Sequence, residues 1–353
     1  MKTKKFKIGI AGCGIIADIQ AQAIQKSSNS ELYSLFSRTE ENVKKCGEKF
    51  DVKWSTNWDE FISDDELDIV SICTPSGNHL DYGGKAAEAG KHVIIEKPIE
   101  ITLERANRLI QKCKNNNVHL SVIYQSRFIP EIIEVKKQVN EKIIGNIFMA
   151  DAYVKWYRSQ EYYDSALWRG TFKLDGGGVL INQAIHSIDL MQWFIGDVDT
   201  IYGKVGIFTH KNIEGEDNAV AVVKFKTGAI GVIEASTSVQ PAQSKRIELH
   251  GETGTIIISN DVKILKKQNE KNYKTQKENY KNSTGANSPL SGFSIEPHKT
   301  QFETIVNSIN SNISPPVSGE ESLKSLAIVL AIYESSKTNL PINLDEFIKK
   351  KII

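Results

Sequence analysis

From Phe6 to about Ile123, short β-branched apolar runs alternate with segments of helical period. The runs Phe6–Ala11, Glu31–Ser37, Asp68–Cys73, His92–Glu96 and His119–Ile123 predict strands. Between them, segments such as Thr102–Asn115 put Leu103, Ala106, Leu109, Ile110 and Cys113 on one helical face. Strands that are apolar on both faces, separated by amphipathic helices, imply a parallel sheet covered on both sides. Residues 1–125 are therefore expected to form an α/β domain built on a doubly wound parallel sheet. Beyond Gln125 the pattern changes. One helical segment, Pro130–Val139, precedes longer alternating runs at Ile147–Trp156, Thr200–Phe208, Ala219–Phe225 and Ala229–Ser236, with a turn at Lys226-Thr227-Gly228. Residues 126–353 are expected to form an α+β domain with a large, mostly antiparallel open sheet, one face of which is exposed. Within it Gly176–Asp189 reads as a helix opening after a glycine run, and Glu320–Ser335 as another.

Size and composition agree with this division. A chain of 353 residues exceeds what one hydrophobic core normally serves. Charged residues make up 25% and hydrophobic ones 40%, and no apolar run approaches the ~20 residues of a membrane helix. The basic start, Met1 to Lys7, passes directly into a strand without the apolar region of a signal peptide, and the four cysteines show no metal-ligand spacing. A reducing cytoplasm and no bound metal are expected. A net charge of +1 supplies no general attraction to nucleic acid or membrane. The Lys- and Asn-rich stretch Asp261–Pro289 reads as a solvated surface hairpin and loop, because no arginine forks or regular aromatics accompany its lysines. The expected partner is a small molecule.

The first strand ends in Gly12-Cys13-Gly14-Ile15-Ile16-Ala17, a G-x-G-x-x-A turn that opens a helix. Glycines there permit a tight turn and let a pyrophosphate approach the helix N-terminus, whose free N–H groups bind anions. Its place between the first strand and the first helix is the context that a Rossmann dinucleotide site requires. The second strand ends in Ser37-Arg38-Thr39 rather than in a carboxylate that would hold the ribose hydroxyl of NAD. Hydroxyls with a guanidinium favour NADP over NAD. Arg38 could instead stack on adenine and leave both cofactors usable.

Two further strands end in Thr74-Pro75-Ser76-Gly77-Asn78-His79 and Glu96-Lys97-Pro98, where ligands bind in open α/β sheets. With the nucleotide turn, Gln125-Ser126-Arg127-Phe128 and the run from Gly176-Gly177-Gly178 through Asn182 and His186 to Asp189, the chain resembles the glucose-fructose oxidoreductase/inositol dehydrogenase/rhizopine-catabolism (Gfo/Idh/MocA) family along nearly its whole length. The resemblance implies NAD(P)-dependent oxidation or reduction of a sugar or polyol, an open C-terminal sheet that mediates assembly into a homodimer or homotetramer, and a substrate site. It makes Lys97 the catalytic lysine and His186 the acid/base, and it sets Thr74, Pro75, His79, Glu96, Lys97 and Gln125 along the cofactor. Inositol dehydrogenase-like members carry an aspartate four residues before that histidine. Asn182 stands there in this chain, able to orient a hydroxyl but not to accept its proton. Asp189 is expected to support the fold, and His79 to open a helix rather than react.

Those residue types suit the chemistry. An imidazole with an ordinary pKa near ~6.5 can take the proton of a secondary alcohol as hydride leaves its carbon. A lysine ammonium stabilises the developing alkoxide. The segment from Lys155 to Gly170 is rich in aromatics and holds two arginines, so Arg158, Tyr163, Trp168 and Arg169, with Arg127 and Asn182, are candidate substrate residues. Aromatic faces suit the C–H faces of sugars, and arginine forks suit phosphates or carboxylates. Core or interface roles for those aromatics are the alternative. This stretch is similar to that of UDP-N-acetylglucosamine and UDP-N-acetylglucosaminuronate 3-dehydrogenases, whereas the Ser37-Arg38-Thr39 tip argues for an NADP-using ketoreductase or a free-sugar or polyol dehydrogenase. Two other readings are a redox-neutral glycosidase that retains its nucleotide and a non-enzymatic sugar sensor on the same scaffold. A sensor should lack the lysine.

Overall fold

The computed structural model describes residues 5–269, 272–278 and 294–352. In chain order the first elements are β1 (Phe6–Ala11), α1 (Ile15–Gln25), β2 (Ser30–Phe36), α2 (Glu40–Phe50), β3 (Lys53–Ser55), α3 (Trp58–Ser63), β4 (Ile69–Ile72), α4 (His79–Glu88), β5 (His92–Ile95), α5 (Leu103–Asn115) and β6 (Leu120–Val122). There follow α6 (Pro130–Asn140), β7 (Ile147–Lys155), α7 (Gln160–Asp164), α8 (Ile185–Ile195), β8 (Val198–Gly206), β9 (Asn218–Phe225), β10 (Ile230–Ser236), β11 (Arg246–Gly251), β12 (Gly254–Ile258), β13 (Val262–Asn269), β14 (Asn272–Glu278), α9 (Glu296–Asn310), α10 (Gly319–Thr338), β15 (Ile342–Asn343) and α11 (Leu344–Ile352).

The chain divides into two compact units, Met1–Phe128 with Ile295–Leu323, and Ile129–Ser294 with Lys324–Ile353. The stretch 126–353, expected as one domain, is thus interrupted by a segment that returns to the first unit. The cause is packing: Phe302, Ile305, Val306 and Ile309 of α9 lie in the same core as Ile8, Ile10, Ile24 and Leu35. Gln301 Nε2 also donates to the Val122 carbonyl at 2.8 Å.

The first unit holds the expected parallel sheet, in the order β3-β2-β1-β4-β5-β6. The direction of winding reverses between β1 and β4, the place where such sheets take dinucleotides. All four residues of β4 are buried, as helices on both faces require. The apolar stripe of α5 is the one read from the sequence, and Thr102 caps it by accepting from Arg105 N at 3.2 Å.

The second unit holds a nine-stranded sheet in the order β14-β13-β12-β11-β7-β10-β9-β8-β15, antiparallel except for the β7–β10 pair. Burial in β9 alternates strictly, with Ala219, Ala221, Val223 and Phe225 inside and Val220 and Val222 on the open face. The hairpin expected after Asp261 is β13–β14; the rest of that stretch, to Pro289, lies outside the described residues. The helix expected over Gly176–Asp189 starts later and runs further. Gly176 and Gly177 have φ of +90° and +149°, so the helical part begins with a π-turn at Leu180–Ala184, continues as α8 and stops at Gly196 (φ +107°). Among the described residues no helix is long and apolar enough to cross a membrane.

Candidate active site

In the first unit, the chain leaves β1 through Gly12 at φ +115°, and a Cβ there would sit 2.6 Å from the Cys73 carbonyl oxygen. The turn is held on both sides, by Gly12 N to Phe36 O at 2.8 Å and Cys73 N to Ala11 O at 2.7 Å. Gly14 differs: its backbone is extended (φ −88°, ψ −175°) and a Cβ would meet nothing within 4 Å. It precedes α1, whose first N–H groups have no helical acceptor, and Ile15 is half exposed beside it while Ile16 is partly buried. Open space before a free helix start fits a pyrophosphate.

At the end of β2, Ser37 Oγ accepts from Thr39 N at 3.3 Å, and Arg38 is exposed with no ion pair among the described residues. Glu40 and Glu41 open α2 directly afterwards, both exposed. These two charges, which the expectation drawn from Ser37-Arg38-Thr39 leaves out, oppose a phosphate that Arg38 would attract.

The ends of β4 and β5 are tied together by His79. Its ring is buried, with Nδ1 2.9 Å from the Pro98 carbonyl and Nε2 3.1 Å from that of Thr74. Burial holds its pKa below the ordinary histidine value. Those contacts make it a brace between two loops. Thr74 Oγ1 is buried without a hydrogen-bond partner, and Pro75 leads into the one-turn helix Ser76–Asn78. Glu96 is buried at the end of a chain of bonds: Ser71 Oγ donates to Gln20 Oε1 at 2.6 Å, and Gln20 Nε2 to Glu96 Oε1 at 2.6 Å. Its other oxygen takes Lys97 N at 3.1 Å. Burial pushes the Glu96 carboxyl up, against the pull of the Lys97 charge. Glu96, expected along the cofactor, thus has its carboxylate engaged inside the domain, where it fixes the backbone of the partly exposed Lys97. Gln125 is partly buried and opens the turn Gln125–Phe128. Arg127 was expected at the substrate. It is buried and ion-paired with Glu321, whose second oxygen accepts from Val317 N at 3.1 Å, so its guanidinium serves the packing of the first unit.

In the second unit, Asn182 lies in the π-turn and His186 one turn later in α8, both partly buried. Asn182 Nδ2 donates to Asp175 Oδ1 at 2.7 Å, and the other Asp175 oxygen takes Gly170 N at 2.9 Å. Gln183, part of the glycine-to-His186 motif but given no role from the sequence, joins the predicted residues. Its Nε2 donates to Asn182 Oδ1 (3.3 Å) and Tyr162 Oη (2.9 Å), and its Oε1 accepts from Arg158 Nη2 (3.3 Å). Arg169 Nη1 reaches the same Tyr162 oxygen at 2.8 Å. Both guanidinium groups stack on the Tyr162 ring, at 5.5 Å for Arg158 and 4.4 Å for Arg169; Arg158 also covers Trp156, and Arg169 covers Trp168. Burial holds the Arg158 pKa below its ordinary value. Asp189 is buried and accepts from Ser325 Oγ at 2.7 Å, a fold role as expected.

Tyr163, expected at the substrate, is instead core. It is buried, its hydroxyl is 2.8 Å from Thr237 Oγ1, and its ring packs edge-on against His210 at 4.7 Å. His210 and Asp217 form a further buried pair at 2.9 Å, with the other histidine nitrogen 2.7 Å from the Arg158 carbonyl. Although burial opposes it, the N–H groups of Thr209 and His210, with Asn218, hold the Asp217 carboxyl well below the usual range. The only hint of this in the sequence is the carboxylate pair Glu216-Asp217 directly before an apolar alternation. On the open sheet face, Asp151, Glu248 and His250 bring possible ligand atoms within 4.8 Å of one another. All three already have protein partners: His250 Nε2 is 3.3 Å from one Glu248 oxygen, Arg246 Nε is 2.8 Å from the other, and Asp151 Oδ1 accepts from Val232 N at 3.0 Å.

Residues 6–124 match the oxidoreductase family with an NAD-binding Rossmann fold, and residues 132–257 match the GFO/IDH/MocA C-terminal domain. An oxidoreductase P35 of Formosa agariphila is 32% identical over 227 residues, 62% of this chain and 69% of that one. A myo-inositol 2-dehydrogenase of Thermotoga maritima is 25% identical over 97% of this chain and all of its own length. Among solved structures, the WlbA dehydrogenase of Bordetella pertussis, in complex with NADH and UDP-GlcNAcA, superposes with a TM-score of 0.83 at 28% identity, covering 96% of this chain and 99% of the other.

Proposed function

This chain belongs to the Gfo/Idh/MocA family of NAD-binding oxidoreductases, and from that premise we propose that it interconverts a secondary hydroxyl and a ketone on a sugar or sugar nucleotide. The observation that carries the reading is the hydrogen-bonded network Arg158–Gln183–Asn182, with Tyr162 and Arg169 attached, leading to the helical turn that bears His186. The partly exposed Arg169 guanidinium, stacked on Trp168 and Tyr162, suits an anionic group, as on a nucleotide diphosphate or a uronate. The UDP-GlcNAcA bound by the Bordetella pertussis relative is of that class.

The nucleotide is held by Gly12, Gly14 and the start of α1, with Ser37, Arg38 and Thr39 at the adenosine end; a bound nicotinamide supplies the hydride acceptor or donor. Arg38 offers a 2′-phosphate a charged fork while Glu40 and Glu41 oppose it, which supports use of both NAD and NADP. His186 takes the hydroxyl proton during oxidation and returns it during reduction. The Lys97 ammonium stabilises negative charge on the reacting oxygen, and Glu96 fixes the backbone from which it extends. Asn182 gives its amide N–H to Asp175, so its carbonyl is the side suited to accept from a sugar hydroxyl. Val220, Val222 and Ile230 on the open sheet face support assembly into a homo-oligomer through that face. Its four free cysteines accord with a reducing cytoplasm.

The deciding experiment follows absorbance of NAD and NADP mixed with the protein and a panel of free and UDP-linked sugars. Reduction by one panel member is expected. A tightly retained nucleotide that no sugar reduces, with glycosidic cleavage in its place, overturns the dehydrogenase reading.

A further inference from the structure

Three successive main-chain N–H groups open the helical segment that carries Asn182 and His186, and one residue takes all three. The Glu216 carbonyl accepts from Val179 N at 2.8 Å. Its carboxylate accepts from Gly178 N at 3.1 Å through Oε2 and from Leu180 N at 2.8 Å through Oε1. Tyr333 of α10 donates its hydroxyl to the same Oε1 at 3.1 Å. Gly178, Val179 and Leu180 are buried, so water cannot substitute for these acceptors. The glycines of this region exist for the approach: a Cβ on Gly178 would lie 1.8 Å from Glu216 O, and one on Gly215 would lie 2.2 Å from Gly177 C.

We propose that Glu216 is a positioning residue, whose grip on residues 178–180 sets the rotation and height of the turn that presents Asn182 and His186. The inference rests on the roles given to those two residues above. Rotation matters because a slip of one residue turns a helix by about 100° and carries a side chain to another face. A carboxylate also suits the positive end of the helix that it caps. Burial pushes this carboxyl up to about 7, against the bonds from Leu180, Tyr333 and Gly178. The titratable groups that feel its charge are Tyr333 from α10 and Tyr163 from α7; Asp175, before the glycine run, adds negative charge at Tyr333. Protonation below about 7 removes acceptor strength from the grip.

The test combines amide hydrogen exchange with steady-state kinetics on full-length E216Q and Y333F, with NADH as the binding probe. In wild type, exchange over residues 178–186, corrected for its intrinsic rate, is expected to be faster at pH 6 than at pH 8, and E216Q should lose that difference. E216Q should exchange this segment at least about tenfold faster and lose at least about tenfold in kcat, with NADH affinity and the sugar KM within about threefold. Y333F keeps both carboxylate-to-amide bonds and should show a roughly three- to tenfold change in exchange and kcat. Unchanged exchange in E216Q, or faster exchange with kcat within about twofold of wild type, overturns the proposal. If E216Q does not fold, Y333F decides it, and wild-type exchange there overturns it. Should wild type transfer hydride with no sugar, the dehydrogenase reading fails, while exchange in E216Q still decides whether Glu216 grips this turn.

Discussion

Gly12 and Gly14 lie two residues apart in one motif but are predicted to fail in different ways when each is replaced by alanine. At Gly12 the new methyl sits 2.6 Å from the Cys73 carbonyl, and the backbone is held at φ +115°. The conformation costs about 1–3 kcal/mol for a residue with a side chain. Forcing β4 to give way adds roughly 1–3 kcal/mol. The two together, centred on about 4 kcal/mol, correspond to a melting temperature lower by roughly 8–16 °C in a domain of this size. Because the turn also joins β1 to the ends of β2 and β4, NADH affinity should fall roughly 1,000-fold if the whole strain is felt there. At Gly14 neither term applies, since φ is −88° and a Cβ meets nothing within 4 Å. G14A should melt within about 2 °C of wild type, because alanine at a cap position costs only about 1 kcal/mol and partly regains that by restricting the unfolded chain. Its NADH affinity should nevertheless drop at least about tenfold, as the methyl occupies space that a pyrophosphate must approach. The assays are thermal denaturation and NADH fluorescence titration. G14A binding NADH within about twofold of wild type would refute the cradle, and G12A with wild-type melting would refute the steric argument.

Replacing Lys97 by alanine should lower turnover by roughly 100- to 10,000-fold and leave the NADH dissociation constant within about twofold, since the lysine acts on developing charge. Turnover close to wild type would remove it from the reaction. R38A should weaken NADPH binding by about tenfold or more, the worth of one charge-assisted pair, with little effect on NADH; equal losses for the two cofactors would dismiss a 2′-phosphate contact. Asp217 bears on pH. Its folded pKa lies below the unfolded 3.8, so its stabilisation is present above about pH 4 and is lost as pH falls toward the folded value. D217N should cost at least about 2 kcal/mol in urea denaturation at pH 7 and flatten the loss of stability below pH 4. A variant as stable as wild type at pH 7 would sink that account.

The Rossmann half was legible because its signals are local. The stripe on α5, the apolar runs of β1 and β4 and the G-x-G-x-x-A turn each depend on residues within one element and its neighbour. What escaped notice depends on separation along the chain. Arg127 is an arginine in a site motif until Glu321, 194 residues away, neutralises it. Tyr163 is an aromatic in a sugar-binding stretch until Thr237, 74 residues away, takes its hydroxyl. Helix α9 is amphipathic in sequence whichever unit it joins, and only the core around Ile8 and Ile24 decides the matter. The helix start at Gly176 was misplaced because glycine signals both a helix opening and a positive φ. Here Gly176 and Gly177 adopt the second.

The same contrast separates the two functional parts of the molecule. The nucleotide turn is built from backbone at strand ends, so nearly any side chain that respects Gly12 and Gly14 preserves it. The presentation of Asn182 and His186 instead passes through side chains brought from afar: Glu216 to Leu180 across 36 residues, Tyr333 to Glu216 across 117, and Arg158 to Gln183 across 25. Each of those bonds needs both of its side chains in place. A substitution in the network is therefore expected to change how Asn182 and His186 are presented while leaving the turn at Gly12 and Gly14 as it is. On the proposed reading, substrate choice is accordingly expected to vary through Arg158, Arg169, Tyr162 and Gln183, while the roles proposed for Lys97 and His186 stay constant.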